Sequence, residues 1–163
     1  MRTVFAFAAF TMAVAGPVWA QSATKDAIKE IEIFLQRFPN SALLAEARTL
    51  EREAKDRLSE ASYRVGYYYF RVKWYTGAID RFKEVLKVDP AYSNRDAVYY
   101  HLAESLYLSS VQGGEALRSL KAEALPYYER LLSEFEKSEY LAAAQKRVAE
   151  LKGSERHDLA ESR

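Results

Sequence analysis

Two stretches of the sequence carry aromatic and charged side chains at steps of three and four residues. Such steps place side chains on one face of an α-helix. Tyrosine suits a surface that binds polypeptides, because its ring offers broad apolar area and its hydroxyl can bond a backbone group. The sequence therefore predicts a groove in which Arg71 and Glu104 set the polarity of a bound segment. The predicted groove residues are Tyr63, Tyr67, Phe70, Arg71, Tyr100, Glu104 and Tyr107.

A structural role for most of these rings is the alternative interpretation. The chain contains twelve Tyr and eight Phe, so some of them must fill the core. Tyr69, Phe82 and Tyr128 are predicted to be core residues. Trp74 and Tyr75 lie at a predicted turn, where filling the turn is favoured over binding a partner.

No pattern typical of an enzyme or a metal site is found in the sequence. It has no Gly-rich phosphate loop, no Gly-x-Ser-x-Gly turn and no Cys. His101 and His157 lack the surrounding carboxylates of a metal site, and both are predicted to lie at the surface. We predict no enzymatic activity, no cofactor and no metal. The enzyme alternative would require folding to gather carboxylates in a closed pocket.

The first twenty residues have the features of a secretory signal peptide. Arg2 gives a basic start, residues 4–15 are almost entirely apolar, and Gly16 and Pro17 follow. Small residues then precede a predicted cleavage after Ala20. The apolar run is shorter than the ~20 residues of a membrane-spanning helix, which was the alternative. Residues 1–20 are predicted to be removed and the protein to be periplasmic.

The charge balance gives no reason to expect nucleic-acid binding. The chain has 24 Lys and Arg against 23 Asp and Glu, and loss of Arg2 with the signal peptide makes the two numbers equal. Nucleic-acid binding depends on clustered cationic side chains. The absence of Cys also excludes disulfides and thiolate metal sites within this sequence. Six Gly and four Pro favour long helices over a many-stranded β fold.

Helical spacing of apolar residues extends from residue 24 to residue 152, which we predict to be one helical domain. Prolines at 39 and 90 end two of the helices. Residues 42–72 contain no Pro and a single Gly, so they are predicted to form one long helix. Residues 153–163 are predicted to be a disordered tail. The other predicted helices cover residues 24–38, 76–87, 95–110, 122–135 and 138–152.

Three segments share one spacing of small, aromatic and apolar residues. In a tetratricopeptide unit, a small residue on the first helix meets a small residue on the second, so that the two helices approach closely. Gly66 and Ala78 are the predicted pair of the central unit. The fold class predicted is all-α, a tetratricopeptide-like solenoid of antiparallel helix pairs. The signature residues are Gly66, Tyr69, Ala78, Phe82, Pro90, Ala103 and Ala124.

An ordered set of short motifs resembles the outer-membrane assembly lipoprotein family called BamD or YfiO. The set comprises Phe34-x-x-Arg37-Phe38-Pro39-Asn40-Ser41, Asp56-Arg57-Leu58, Val65-Gly66-x-Tyr68-Tyr69, Tyr75-x-x-Ala78-Ile79-x-Arg81-Phe82-x-x-Val85-Leu86 and Asp96-Ala97. The resemblance covers residues 27–108. It implies a periplasmic repeat scaffold that contacts barrel-assembly proteins and incoming outer-membrane proteins.

This sequence departs from the family pattern in two features that bear on the partners we expect. Members usually have more repeats and an acylated Cys after the signal, whereas this sequence has three repeat segments and no Cys. We therefore expect contact with the outer membrane only through protein partners. The predicted function is capture of a polypeptide segment on the concave face of the solenoid. The alternative is a cell-envelope adaptor for peptidoglycan synthesis or division complexes.

Overall fold

The computed structural model describes residues 18–114 and 119–161, and these residues form helices joined by short turns. No β-strand occurs within them, so the prediction of an all-α fold is confirmed. Helices α3 to α6 pack in succession, each against the next, as in a tetratricopeptide-like solenoid. The helices are α1 (Val18–Arg37), α2 (Leu44–Arg71), α3 (Tyr75–Val88), α4 (Arg95–Gln112), α5 (Ser119–Glu134) and α6 (Leu141–Glu161).

The chain divides into two compact units, residues 1–54 and 55–163. In the first unit, Ile28 of α1 is buried and Phe34 is half-buried, which follows the predicted apolar stripe. Phe38, at the end of that stripe, is 53% exposed and lies with its ring 5.4 Å from the ring of Phe34. Helix α1 ends at Arg37, two residues before Pro39, which cannot continue a helix.

The long central helix predicted for residues 42–72 is present as α2. Its end adopts a Schellman arrangement, in which Lys73 N–H donates to Phe70 O and Trp74 N–H donates to Tyr69 O. Lys73 takes a positive φ of 63°, and the rings of Trp74 and Tyr69 make the apolar contact that accompanies this cap. The cap turns the chain sharply, so that α3 starts at Tyr75.

The core of the second unit is built from small and apolar residues of α3 to α6. A Cβ atom at Gly66 would lie 2.9 Å from Phe82 Cε1 and 3.1 Å from Arg81 Cβ. The atoms closest to Gly66 therefore belong to Arg81 and Phe82, one helical turn after Ala78 in α3. Ala78 is itself fully buried. Fully buried core residues are Ala78, Phe82, Val85, Val98, Leu102, Ala103, Leu106, Ala124, Tyr128, Leu131 and Ala144.

The end of the last helix differs from the prediction. The helix was expected to end before Gly153, but α6 continues to Glu161. One Gly in a helix costs about 1 kcal/mol relative to Ala, and no Pro follows to stop the helix. The disorder predicted for residues 153–163 stays a prediction. At the other end, residues 1–17 of the predicted signal peptide lie outside the described residues.

Candidate functional site

Aromatic rings from α2, from α4 and from the turn just before α6 meet in the second unit. All of them lie within ring-contact distance of His101 or of one another, and we call this set the aromatic face. Its members are Tyr63, Tyr67, Phe70, Tyr100, His101 and Tyr140. Four of the predicted groove residues therefore come together in space, and Tyr140, in the turn before α6, joins them: they are Tyr63, Tyr67, Phe70 and Tyr100.

His101 lies at the centre of the aromatic face. Its ring meets the rings of Tyr67, Phe70 and Tyr100 edge to face, with centroid distances of 5.0, 5.2 and 5.3 Å. Tyr140, the residue just before α6, makes a similar contact at 5.4 Å. Edge-to-face contacts are favoured by the charge distribution of aromatic rings. The imidazole therefore contacts rings of α2, of α4 and of the turn before α6 at the same time.

The prediction that His101 lies at the surface is wrong, because the residue is only 6% exposed. Its Nδ1–H donates to the carbonyl oxygen of Ala97 at 2.7 Å, and the Tyr63 hydroxyl oxygen lies 3.3 Å from the same nitrogen. Burial lowers the pKa of His101, and this effect outweighs the opposing influence of the Ala97 carbonyl, Glu104 and Glu139. The ring is therefore held in its neutral form.

Tyr67 and Tyr140 bring the aromatic face to the solvent. Tyr67 is 39% exposed and stacks on Tyr63 at 6.1 Å. Tyr140 is half-buried and stacks on Tyr100 at 4.6 Å, with the ring planes 17° apart. Burial raises the pKa of the Tyr140 hydroxyl to about 12, with a further contribution from Glu139. The hydroxyl is thus a neutral hydrogen-bonding group at physiological pH.

Glu104, a predicted groove residue, is buried and engaged by two other helices. Its Oε1 accepts a hydrogen bond from the Tyr128 hydroxyl at 2.6 Å. Arg147 of α6 donates to Oε1 from Nε at 3.0 Å and to Oε2 from Nη2 at 3.2 Å. The same guanidinium lies over the ring of Tyr107, 4.0 Å from its centroid. In this arrangement Glu104 and Tyr107 hold α6 against α4.

Arg71, the remaining predicted groove residue, is the last residue of α2, and Trp74, which was predicted to fill a turn, precedes α3. Arg71 is exposed. Trp74 fills the turn, since its ring lies 4.4 Å from that of Tyr69, yet 54% of the residue stays exposed. A Cβ atom at Gly77 would lie 2.8 Å from the indole, so the ring packs closely against the first turn of α3.

A repeated spacing could have revealed the contribution of α6. Tyr63, Tyr67 and Phe70 are separated by steps of four and three residues, as are Tyr100, Glu104 and Tyr107. The same steps separate Tyr140, Ala144 and Arg147. His101, Tyr140 and Arg147 were not among the residues predicted for the groove. The sequence carries no comparable signal for the burial of His101, because burial depends on which helix packs over the residue.

We expect acid to destabilise the second unit through His101. The unfolded chain takes up a proton as the pH falls below about 6.5, whereas the buried ring resists protonation. The contribution of neutral His101 to the free energy of unfolding is therefore fully present above about pH 6.5. It falls as the pH drops towards the lowered pKa of the folded state. The slope is at most about 1.4 kcal/mol per pH unit. Urea unfolding at a series of pH values measures it.

The two histidines provide a matched control for this experiment. His101→Phe keeps an aromatic ring and should remove the slope just below about pH 6.5. His157→Gln should retain it. An unchanged slope in His101→Phe would assign the acid sensitivity to another group.

The described residues contain neither a metal-ligand cluster nor a membrane span. No group of three or more His, Asp or Glu side chains in this part of the chain could hold a metal ion. Among the helices of the described ranges, none is long and apolar enough to cross a bilayer.

Comparison with known proteins identifies the family. The family model described as YfiO, outer membrane lipoprotein, matches residues 18–111, which include α1 to α3 and almost all of α4. A search of curated proteins finds no match. The members of the aromatic face on α2 and α4 lie within the matched region, whereas Tyr140 lies beyond it. Since the match spans more than half of the 163 residues, the chain belongs to the YfiO family of outer membrane lipoproteins.

Proposed function

We propose that this protein is a non-catalytic scaffold of outer-membrane protein assembly that captures a polypeptide segment on the aromatic face. The observation that carries the proposal is the meeting of rings from two helices and the turn before α6 around one buried imidazole. Membership of an outer membrane lipoprotein family supports a role at the cell envelope. Aromatic side chains at the centre of a surface typically contribute most of the binding free energy.

Rigidity of the aromatic face favours capture of a flexible segment. Tyr67 is held by Tyr63 on one side and by His101 on another, and Tyr140 is held by Tyr100. Side chains that are already ordered lose little conformational entropy when a partner binds. The exposed ring of Tyr67 then serves as the apolar anchor for an extended or helical segment.

In this proposal Arg71 supplies the positive charge that sets the polarity of a segment bound at the aromatic face. Arg71 is exposed at the C-terminal end of α2, one residue after Phe70. Glu104 is assigned to positioning, because Arg147 and Tyr128 already occupy its carboxylate oxygens. A bound segment that carries a carboxylate near its apolar anchor would therefore pair with Arg71.

Replacement of Tyr67 by Ala is expected to weaken binding of an unfolded outer-membrane β-barrel protein by about 5- to 30-fold, because truncation of a central aromatic anchor costs about 1–2 kcal/mol. The probe is a fluorescently labelled β-barrel protein, diluted from urea into buffer that contains the scaffold. Fluorescence anisotropy measures the dissociation constant. The helical circular dichroism signal should not change, since Tyr67 is partly exposed.

Tyr68→Ala is the matched control for this substitution. Tyr68 is the neighbouring residue of the same type, and it is 60% exposed with no ring contact to His101 among those described. Its removal should leave the dissociation constant unchanged. Equal weakening by both variants, or none with Tyr67→Ala, would contradict the assignment of the aromatic face. Recovery of peptidoglycan-synthesis proteins alone from envelope extracts would favour the adaptor alternative.

A further inference from the structure

Four consecutive exposed residues join α2 to α3, and we call them the tip. They are Arg71, Val72, Lys73 and Trp74, so cationic and apolar side chains alternate. Val72 is 52% exposed and Trp74 is 54% exposed. Exposed apolar side chains that alternate with basic ones are typical of surfaces that lie in the headgroup region of a membrane.

The backbone of Lys73 suggests that its side chain has a role. Its φ of 63° lies in the left-handed region, which costs a residue with a Cβ atom roughly 1 kcal/mol that Gly would avoid. Helices that end in this way usually carry Gly at this position. Strained residues of this kind cluster at functional sites. Lys73 places a cation in the exposed turn between α2 and α3.

Trp74 is presented in a fixed orientation. The indole meets the Tyr69 ring edge to face, and the absence of a Cβ atom at Gly77 gives it room to lie against the first turn of α3. More than half of the residue stays exposed to solvent. Tryptophan is enriched where membranes meet water, because its ring is apolar while its N–H group can bond to headgroups or water.

The charged side chains of the tip are positive. A cleft of ≈ 200 Å³ beside it is lined by residues of the turn and of the end of α4, and among the residues that the structure describes there, Lys73 is the one that carries a charge. The tip itself contains two cations and no acidic residue. The residues that line the cleft are Lys73, Trp74, Tyr75, Thr76, Ser109, Gln112 and Gly113. This composition is complementary to an anionic phospholipid surface.

The size of the tip favours a lipid surface over a protein partner. Stable protein interfaces involve about 20–30 residues on each side, far more than four. A lipid surface needs no matched shape, and a few apolar side chains with adjacent cations suffice for weak, reversible contact.

We propose that the tip inserts Trp74 and Val72 into the headgroup boundary of an anionic phospholipid leaflet, with Lys73 beside the lipid phosphates. This membrane contact uses Val72, Lys73 and Trp74, none of which is assigned to polypeptide binding, and it does not depend on that function. It orients the second unit on the membrane surface, whatever else attaches the protein there.

Tryptophan fluorescence reports this contact directly. The chain contains two Trp, so Trp19→Phe in the full chain leaves Trp74 as the single emitter. With vesicles of phosphatidylethanolamine and phosphatidylglycerol, Trp74 emission should shift to the blue and be quenched by brominated lipids. Vesicles of phosphatidylcholine alone should give a much smaller response. Binding through the apolar residues 4–15 would sediment the protein but leave Trp74 unquenched.

Two variants of the tip separate lipid binding from folding. Lys73→Gly should raise the urea midpoint, because Gly adopts a positive φ without strain, while the partition coefficient falls about fivefold with the loss of one cation. Val72→Glu should abolish the blue shift. Leu43→Glu is the matched control, since Leu43 is a 56% exposed apolar residue outside the tip, and it should bind like the parent.

The proposal is overturned by any of three results. The first is that brominated lipids do not quench Trp74 emission. The second is that Lys73→Gly binds vesicles as tightly as the parent, and the third is that Val72→Glu gives the same blue shift as Leu43→Glu. Loss of lipid response with intact binding of the unfolded barrel protein would separate this site from the aromatic face.

Discussion

Replacement of Arg147 by Ala is expected to lower the free energy of unfolding of the second unit by about 3 kcal/mol. The substitution leaves the Glu104 carboxylate, whose side chain is 9% exposed, without its cation. Removing one partner of a buried ion pair costs about 3–5 kcal/mol, and the 24% exposure of Arg147 favours the lower end of this range. Urea unfolding followed by circular dichroism measures the change.

A double variant tests whether the cost comes from the unpaired charge. Glu104→Gln combined with Arg147→Met retains an acceptor for the Tyr128 hydroxyl and removes both charges. It should be more stable than Arg147→Ala alone. Arg130→Ala is the surface control, because its pair with Glu134 is exposed and such pairs contribute about 0–1 kcal/mol. Equal losses for Arg147→Ala and Arg130→Ala would show that the buried pair does not hold α6.

Replacement of Phe82 by Ala is expected to cost about 3–5 kcal/mol, the range for removing a fully buried aromatic ring. The ring lies against Gly66 and within 5.7 Å of Tyr63 and 6.0 Å of His101, centroid to centroid. Its loss removes the contact between α2 and α3 and the support beneath the aromatic face. We expect binding of the unfolded barrel protein to weaken together with stability in this variant.

Gly66 provides an independent test of the same contact. Gly66→Ala should destabilise the protein by about 1–3 kcal/mol although Ala favours helices, because the added Cβ would lie 2.9 Å from Phe82. In a Phe82→Leu background the ring edge is absent, so the added methyl should cost less. Strict additivity of the two substitutions would show that Gly66 and Phe82 do not contact each other.

Local features of the sequence were sufficient to predict the helices and the repeat. Pro39 and Pro90 stop helices through their own covalent geometry, and the long stretch without Pro before Lys73 becomes α2. The groove residues on α2 were predicted to share a face, which follows from helical spacing alone. The lone Gly153 was misread as a helix end, since a single Gly only weakens a helix.

The candidate site could be predicted only in part. Tyr67 and Tyr100 were identified as groove residues, and the structure places both rings in contact with His101. Whether Tyr67 binds a partner stays a prediction. Glu104 was predicted to face a bound segment, but it is buried beneath Arg147. A carboxylate at a helical step gives no indication of whether solvent or another helix will cover it.

The amino-acid sequence by itself determined the all-α class, the positions of most helices and the close approach at Gly66, because periodicity, proline and the absence of a Cβ atom act over a few residues. Only the tertiary structure decided which polar groups lie inside. His101 is neutral and Glu104 is paired because Tyr140 and Arg147, some 40 residues later in the chain, pack against them. Burial depends on the neighbouring helix, and that neighbour is set by the packing of the whole unit.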